Sequence, residues 1–140
     1  MRTLALLLLF AAPAVAAPVP KELRKPSVVG TWELTHTNLW GAETALYKGQ
    51  RWRFGTDGSF TISERLPGGG YAKPRLNGSY TIVAAGTDIL FGESGMPAQS
   101  LTECVGTTLK LANTKKNGIR AADFRPHPDS VIYTFQRIEE

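Results

Sequence analysis

Arg51-Trp52-Arg53-Phe54-Gly55-Thr56-Asp57-Gly58-Ser59-Phe60-Thr61-Ile62-Ser63 decides the fold class. Trp52 and Phe54 alternate with two arginines. Phe60 and Ile62 alternate with Thr61 and Ser63. Between them lies an Asp-Gly turn signal, so the stretch reads as two half-buried antiparallel strands joined in a hairpin. Alternation puts the arginines and the aromatics on opposite faces. A nucleic-acid stacking platform needs exposed aromatics beside its cations, so no nucleic-acid partner is expected. Continuing the register gives Glu64 the inward parity. A carboxylate sealed in a core with nothing basic beside it would be costly, so Glu64 is expected at a rim or in a polar pocket.

Upstream, Val28 to Thr37 repeats the pattern. Trp32, Leu34 and His36 share the inward face, and Thr31, Glu33 and Thr35 the other. Gly30 fits a close chain crossing or a bend. Asn38 to Gly49 breaks the alternation. Leu39, Trp40, Ala42, Ala45, Leu46 and Tyr47 read as a short helical turn, too short to stand alone, that covers an opening. Trp40 either meets a ligand there or plugs the core.

Downstream, Pro67-Gly68-Gly69-Gly70 followed by Tyr71, Lys73 and Arg75 reads as a long hairpin loop with a basic tip. It lacks the helix and the Lys-Ser/Thr pair of a phosphate loop. Tyr80 and Ile82 are expected inward on the next strand, Ile89 and Phe91 on its return. Residues 92–100 form a loop. A strand over 103–111 is expected, with Gly106 as a bend or bulge. Asn117-Gly118 suits a tight reversal, and 119–124 is a weaker strand. His127, between Pro126 and Pro128, is expected to be exposed. In the last strand Val131, Tyr133, Phe135 and Arg137 share the inward face. Strands near 29–37, 50–56, 59–66, 77–83, 87–92, 103–111, 119–124 and 131–138 make an all-β, antiparallel up-and-down meander. Closing it removes the sheet edges and encloses the aromatics.

The first 16 residues read as a cleaved export signal: Arg2, an uninterrupted apolar run from Leu4 to Ala12, then Ala14-Val15-Ala16 before the cut. The run is far shorter than the roughly 20 residues a bilayer span needs, and no transmembrane segment is expected in the mature chain. Localisation is expected to be periplasmic or extracellular. Residues 17–27, with three prolines, form an extended lead-in in which Leu23 would dock on a closed end, and 28–140 form one domain. The chain carries a formal charge of +4, or +3 without Arg2, which calls for neither nucleic acid nor anionic lipid. Cys104 is the only cysteine. It reads as a buried small hydrophobe, with a reactive or intermolecular thiol as the alternative.

The chain resembles the bacterial lipocalin-like domains. The resemblance lies in Gly30-Thr31-Trp32, in Phe54-Gly55-Thr56-Asp57-Gly58-Ser59-Phe60, in Gly78-Ser79-Tyr80-Thr81-Ile82 and in Tyr133-Thr134-Phe135-Gln136-Arg137. It implies an eight-stranded lipocalin-like barrel in which Trp32 sits at the closed end beneath a basic residue of the last strand. That role falls on Arg137, with Gly30 completing the closure. It suits a binding protein, so a non-catalytic exported protein for a small apolar or amphipathic ligand is expected. Trp40, Tyr71 and Tyr80 would line the open end, with Trp52, Phe54, Phe60, Phe91 and Phe135 deeper. The alternative is a packed barrel whose loops 38–49 and 67–75 act on an envelope protein partner. Two histidines and one cysteine leave little for hydrolytic chemistry. Cys104 with His36 and Asp88 or Glu103 is one such combination, but nothing in the sequence positions them together, and no catalysis, cofactor or metal is expected.

Overall fold

The computed structural model describes residues 27–84, 86–91, 98–115 and 119–139. The export signal, Leu23 and Asn117-Gly118 lie outside them. Nine strands run in order: β1 (Gly30–Leu39), β2 (Ala42–Thr44), β3 (Arg51–Phe54), β4 (Ser59–Ser63), β5 (Leu76–Val83), β6 (Gly86–Phe91), β7 (Ala98–Val105), β8 (Thr108–Thr114) and β9 (Ser130–Ile138). Neighbours pair antiparallel in series from β3 to β9. β1 pairs with β3 on one edge and β9 on the other, which closes an eight-stranded barrel. β2 extends β1 beyond the point where β3 leaves it.

The hairpin from Arg51 to Ser63 forms as its alternation predicts. Trp52 pairs with Ile62 and Phe54 with Phe60. Gly58 takes φ 81° in the turn, and Asp57 Oδ1 accepts the Ser59 N–H. The hydrogen bonds from Ser59 hold the Asp57 carboxyl below its ordinary range.

Four expectations change. The segment after β1 contains no helical turn. Trp40 (φ 54°) and Gly41 (φ 89°) form a two-residue reversal between the paired Leu39 and Ala42. Positive φ at both central residues is the geometry that matches the twist of a hairpin. Next, His36 does not face inward. The β1–β9 register shifts between Leu34 and His36, so one extra residue sends the His36 ring out and brings Thr37 into the interior.

The 103–111 strand is instead the β7–β8 hairpin. Gly106 at φ 57° reverses the chain between the paired Val105 and Thr108. The eighth barrel strand comes from this division, because residues 119–124 are not a strand. They cross the outside of the wall as a strap. Leu111, Tyr133 and Phe135 face inward, so Ala112 and Ile132 face out, and Ala121 covers them with Leu101 and Phe124 alongside. Arg120 anchors the strap. Its Nη2 donates to Asp88 Oδ1 at 2.6 Å and its Nη1 to the Ser100 carbonyl. A Cβ on Gly86 would collide with that carbonyl and with the guanidinium, so the missing side chain admits both.

Finally, Ile82 is 56% exposed. β4 stops pairing with β5 at Ser79, and the β5–β6 tip projects past the wall that would have covered it.

Inside the barrel Trp32, Leu34, Trp52, Phe54, Phe60, Ile62, Tyr80, Ile89, Leu109, Leu111 and Phe135 form one core. The closed end is sealed by Trp32 and Arg137, which are direct partners across β1–β9. Trp32 is fully buried, its Nε1 donates to the Val28 carbonyl at 2.8 Å, and the Arg137 guanidinium lies 4.1 Å from its ring. Arg137 also donates to the carbonyls of Val29 (3.0 Å) and Ser27 (2.7 Å). A guanidinium on an aromatic face with two carbonyl acceptors is well satisfied away from bulk water. Gly30, at φ 136°, leaves the space Arg137 Nη1 occupies.

Candidate functional site

β1 runs toward the open end and β3 starts there, so the mouth is framed by the β2–β3, β4–β5 and β8–β9 connections. A cavity of about 240 Å³ opens at this end, lined by Tyr47, Gln50, Trp52, Ile62, Glu64, Arg75, Leu76 and Tyr133. Its floor is aromatic because Trp52 and Tyr133 both take the inward parity of their strands. The two rings lie 5.3 Å apart, and Trp52 meets Phe135 below at 4.9 Å.

The polar side of the mouth is a relay of fixed groups. The Trp52 indole Nε1–H donates to Gln50 Oε1 at 3.1 Å. Gln50 Nε2 donates to Glu64 Oε1 at 2.7 Å. The Arg75 guanidinium pairs with the same carboxylate oxygen at 3.6 Å. The Gln50 amide therefore has one orientation, set by a donor on one side and an acceptor on the other. Glu64 sits at the rim, as its parity predicts, with its charge balanced by Arg75. Burial beside Trp52 pushes the Tyr133 phenol up from its ordinary value, and the nearby Tyr47 adds to the shift. The cavity offers two flat aromatic faces, the Gln50 amide and the Glu64–Arg75 ion pair.

Of the expected site residues, the structure brings Trp52 to the cavity. Phe54, Phe60 and Phe135 are core: Phe54 and Phe60 stack 5.0 Å apart, and Phe60 meets Trp52 edge-on at 5.4 Å. Tyr80 is corrected from the open end to the closed half. It packs on Phe54 at 5.0 Å, and its hydroxyl donates to the Gly55 carbonyl at 2.6 Å beside the β3–β4 turn. Tyr71 is corrected from the lining of the open end to the outer wall. Its hydroxyl donates to Glu33 Oε2 at 2.5 Å, and the Arg51 guanidinium lies 4.4 Å over its ring. Glu33 and Arg51 both have outward parity, so the glycine-rich loop is folded back against the barrel. Burial, then the bond to Glu33, raises the Tyr71 phenol. Trp40 lies at the open end but does not line the cavity. It is half exposed, with Lys115 Nζ 4.3 Å from its ring centre. Phe91 ends β6, and its side chain lies outside the described residues.

Sequence reasoning passed over Tyr47, Gln50, Arg75, Ile62, Leu76 and Tyr133 as site residues. Parity alone places Gln50 on the face of Trp52 and Phe54, and a polar residue at the inward start of a strand was a readable signal. Tyr47 had no such signal, because its direction depends on its own φ of 64°.

A larger cavity, about 510 Å³, lies under the strap and not in the barrel. Both arginines along it already hold acids: Arg120 holds Asp88, and Arg125 holds Asp123. His36 and Cys104 do not meet. His36 lies on the outer wall with Glu43 and Lys48. Cys104 is half-buried near the closed end, where its Sγ lies 3.5 Å from the Ser27 carbonyl and burial pushes the thiol up. Asp88 is held by Arg120. Among the described residues no group of His, Cys, Asp and Glu side chains is arranged to hold a metal ion, and no helix is long and apolar enough to cross a membrane. No family model matches the chain, and no curated protein matches its sequence.

Proposed function

We propose that this chain is a non-catalytic lipocalin-like binding barrel, exported to the periplasm or beyond, and that its ligand sits at the mouth and not deep in the lumen. The mouth cavity of about 240 Å³ carries the reading. It is smaller than the roughly 300–1,000 Å³ of drug-sized sites, because the aromatic core fills the lower barrel. The ligand is therefore a small amphipathic molecule. Its flat or short apolar part lies on Trp52 and Tyr133, and its polar head meets Gln50, Glu64 and Arg75. Trp32 beneath Arg137 supports the lipocalin-like assignment, since that closure is what the resemblance implies.

The test is titration with 2-naphthol and hexanoate, followed by amide and indole N–H shifts in NMR. Saturable shifts at Gln50, the Trp52 indole and Tyr133 are expected, and Leu76→Trp, which fills the rim, abolishes them. Absence of any shift at these groups with both probes removes the mouth as a site. The second reading, a packed barrel acting through its loops on an envelope protein, is favoured by the filled lower core. It predicts that Leu76→Trp leaves activity in the cell intact.

A further inference from the structure

Eight large apolar side chains are exposed among the described residues, and they are not spread evenly. Trp40, Leu46, Tyr47, Leu66, Leu76 and Ile119 belong to the open end. Ile82 and Val105 belong to the hairpin tips at the other. Trp40 lies in the β1–β2 turn, Leu46 and Tyr47 between β2 and β3, Leu66 between β4 and β5, Leu76 at the start of β5 and Ile119 between β8 and β9, so they are spread around the mouth. Two are held out at a cost. Trp40 and Tyr47 are the non-glycine residues with positive φ in the described chain, a conformation that bulky side chains rarely adopt. Strain of this kind is normally retained where it gains packing or function. Here the rings remain 50% and 47% exposed, so core burial does not account for it.

Charge follows the same division. The open-end connections 40–50, 64–75 and 115–129 carry seven cations against four acids among their described residues, and two of the seven, Arg65 and Arg120, pair with Glu33 and Asp88 on the wall, which leaves a surplus of one. Lys48 and Lys73 have no ion pair there, and Lys115 lies over the Trp40 ring. Near the closed end Arg53, Lys110 and Arg137 balance Asp57, Glu103 and Glu139.

We infer that the open rim docks on an anionic lipid bilayer. Exposed apolar side chains rimmed by polar residues mark interaction surfaces, membranes among them. Tryptophan and tyrosine favour the lipid–water boundary, and interleaved lysines are drawn to negative headgroups. Tyr47 and Leu76 also line the mouth cavity, and the docking surface rests on Trp40, Leu46, Leu66 and Ile119, which do not. It goes beyond the ligand reading and does not depend on it.

The test is cosedimentation of the purified chain with vesicles of three-to-one phosphatidylcholine and phosphatidylglycerol, against phosphatidylcholine alone. Binding to the anionic vesicles, weakened by salt, is expected. Trp32 and Trp52 are buried, so quenching by brominated lipid would report Trp40. Trp40→Ala with Leu46→Ser should lower partitioning at least tenfold. Lys73→Glu, at an exposed site that leaves the fold alone, should lower it by about fivefold or more. Ile82→Ser and Val105→Ser should leave it unchanged. Equal binding to both vesicle types, no binding to either, or an equal loss from the closed-end variants overturns the inference. A protein partner in place of lipid would appear as no binding to either. Because 2-naphthol binding is measured without vesicles and Lys73→Glu leaves it unchanged, the two proposals fail separately.

Discussion

The two ends of the barrel use aromatic residues in opposite ways. At the closed end Trp32 is fully enclosed, held by Arg137 of the last strand and by the carbonyl of Val28 just before its own strand. At the open end Trp40 and Tyr47 stand half in solvent on local turns that hold them there against backbone preference. The closed end contributes stability and makes little of its surface available. The open end gives up local stability and presents a cavity and a rim. Substitutions should therefore have opposite signs at the two ends.

The sharpest way to break this contrast is Trp32→Ala. Removing a fully buried indole should cost about 3–5 kcal/mol, read by urea denaturation, and a value near zero would mean the closed end does not hold the barrel. Arg137→Ala removes a ring contact and leaves two carbonyls short of a donor. About 2–3 kcal/mol is expected, with Trp32 fluorescence shifting toward that of a wetter indole. Between the ends, Arg120→Ala frees the strap from Asp88 and from the Ser100 carbonyl. A cost of about 1–2 kcal/mol and faster amide exchange at Ala121 are expected. At the open end the sign reverses. Trp40→Asn places the residue that a two-residue hairpin turn prefers before Gly41, and it should raise stability by about 0.5–1 kcal/mol.

The smallest effects are those of pH, and they divide the same way. Tyr133 at the mouth has a raised phenol, so the folded state holds its proton more tightly than the unfolded chain does. That stability is present below the ordinary tyrosine value of 10.0 and is lost as pH climbs through the folded value. Tyr133→Phe should flatten the alkaline limb of the stability curve. Asp57 at the closed-end turn is lowered. Its contribution is present above 3.8 and is lost as pH falls through the folded value. Asp57→Asn should flatten the acid limb.

The inward faces of the strands were legible in the sequence and the turns, bulges and loops were not, for a physical reason. Period-two alternation records which face of a strand is buried. It therefore placed Trp32, Leu34, Trp52, Phe54, Phe60, Ile62 and Phe135 correctly, and the motif position of Arg137 put it over Trp32. Alternation has no memory across an inserted residue. The bulge after Leu34 turned His36 outward, and nothing in Leu34-Thr35-His36 announces it. A barrel also needs only that its strand count close. One strand was missed at the β7–β8 hairpin and one was assigned to the strap, and the total still came to eight. Apolar residues in the strap looked like a strand because they do pack on a sheet, but on its outer face. Loop side chains are aimed by φ values and by long-range partners, such as Glu33 for Tyr71, and neither is written in local pattern.

The pairing of β1 with β9 also sets an order of events. The strand carrying Trp32 is made first and its closing neighbour last, with every other barrel strand between them. Until β9 arrives, β1 keeps an unpaired edge bearing Trp32 and Leu34, and such an edge is a template for pairing with another chain. Long-range closure of this kind slows folding. The nascent protein therefore passes through an interval in which its most stabilising residue is also its most adhesive one.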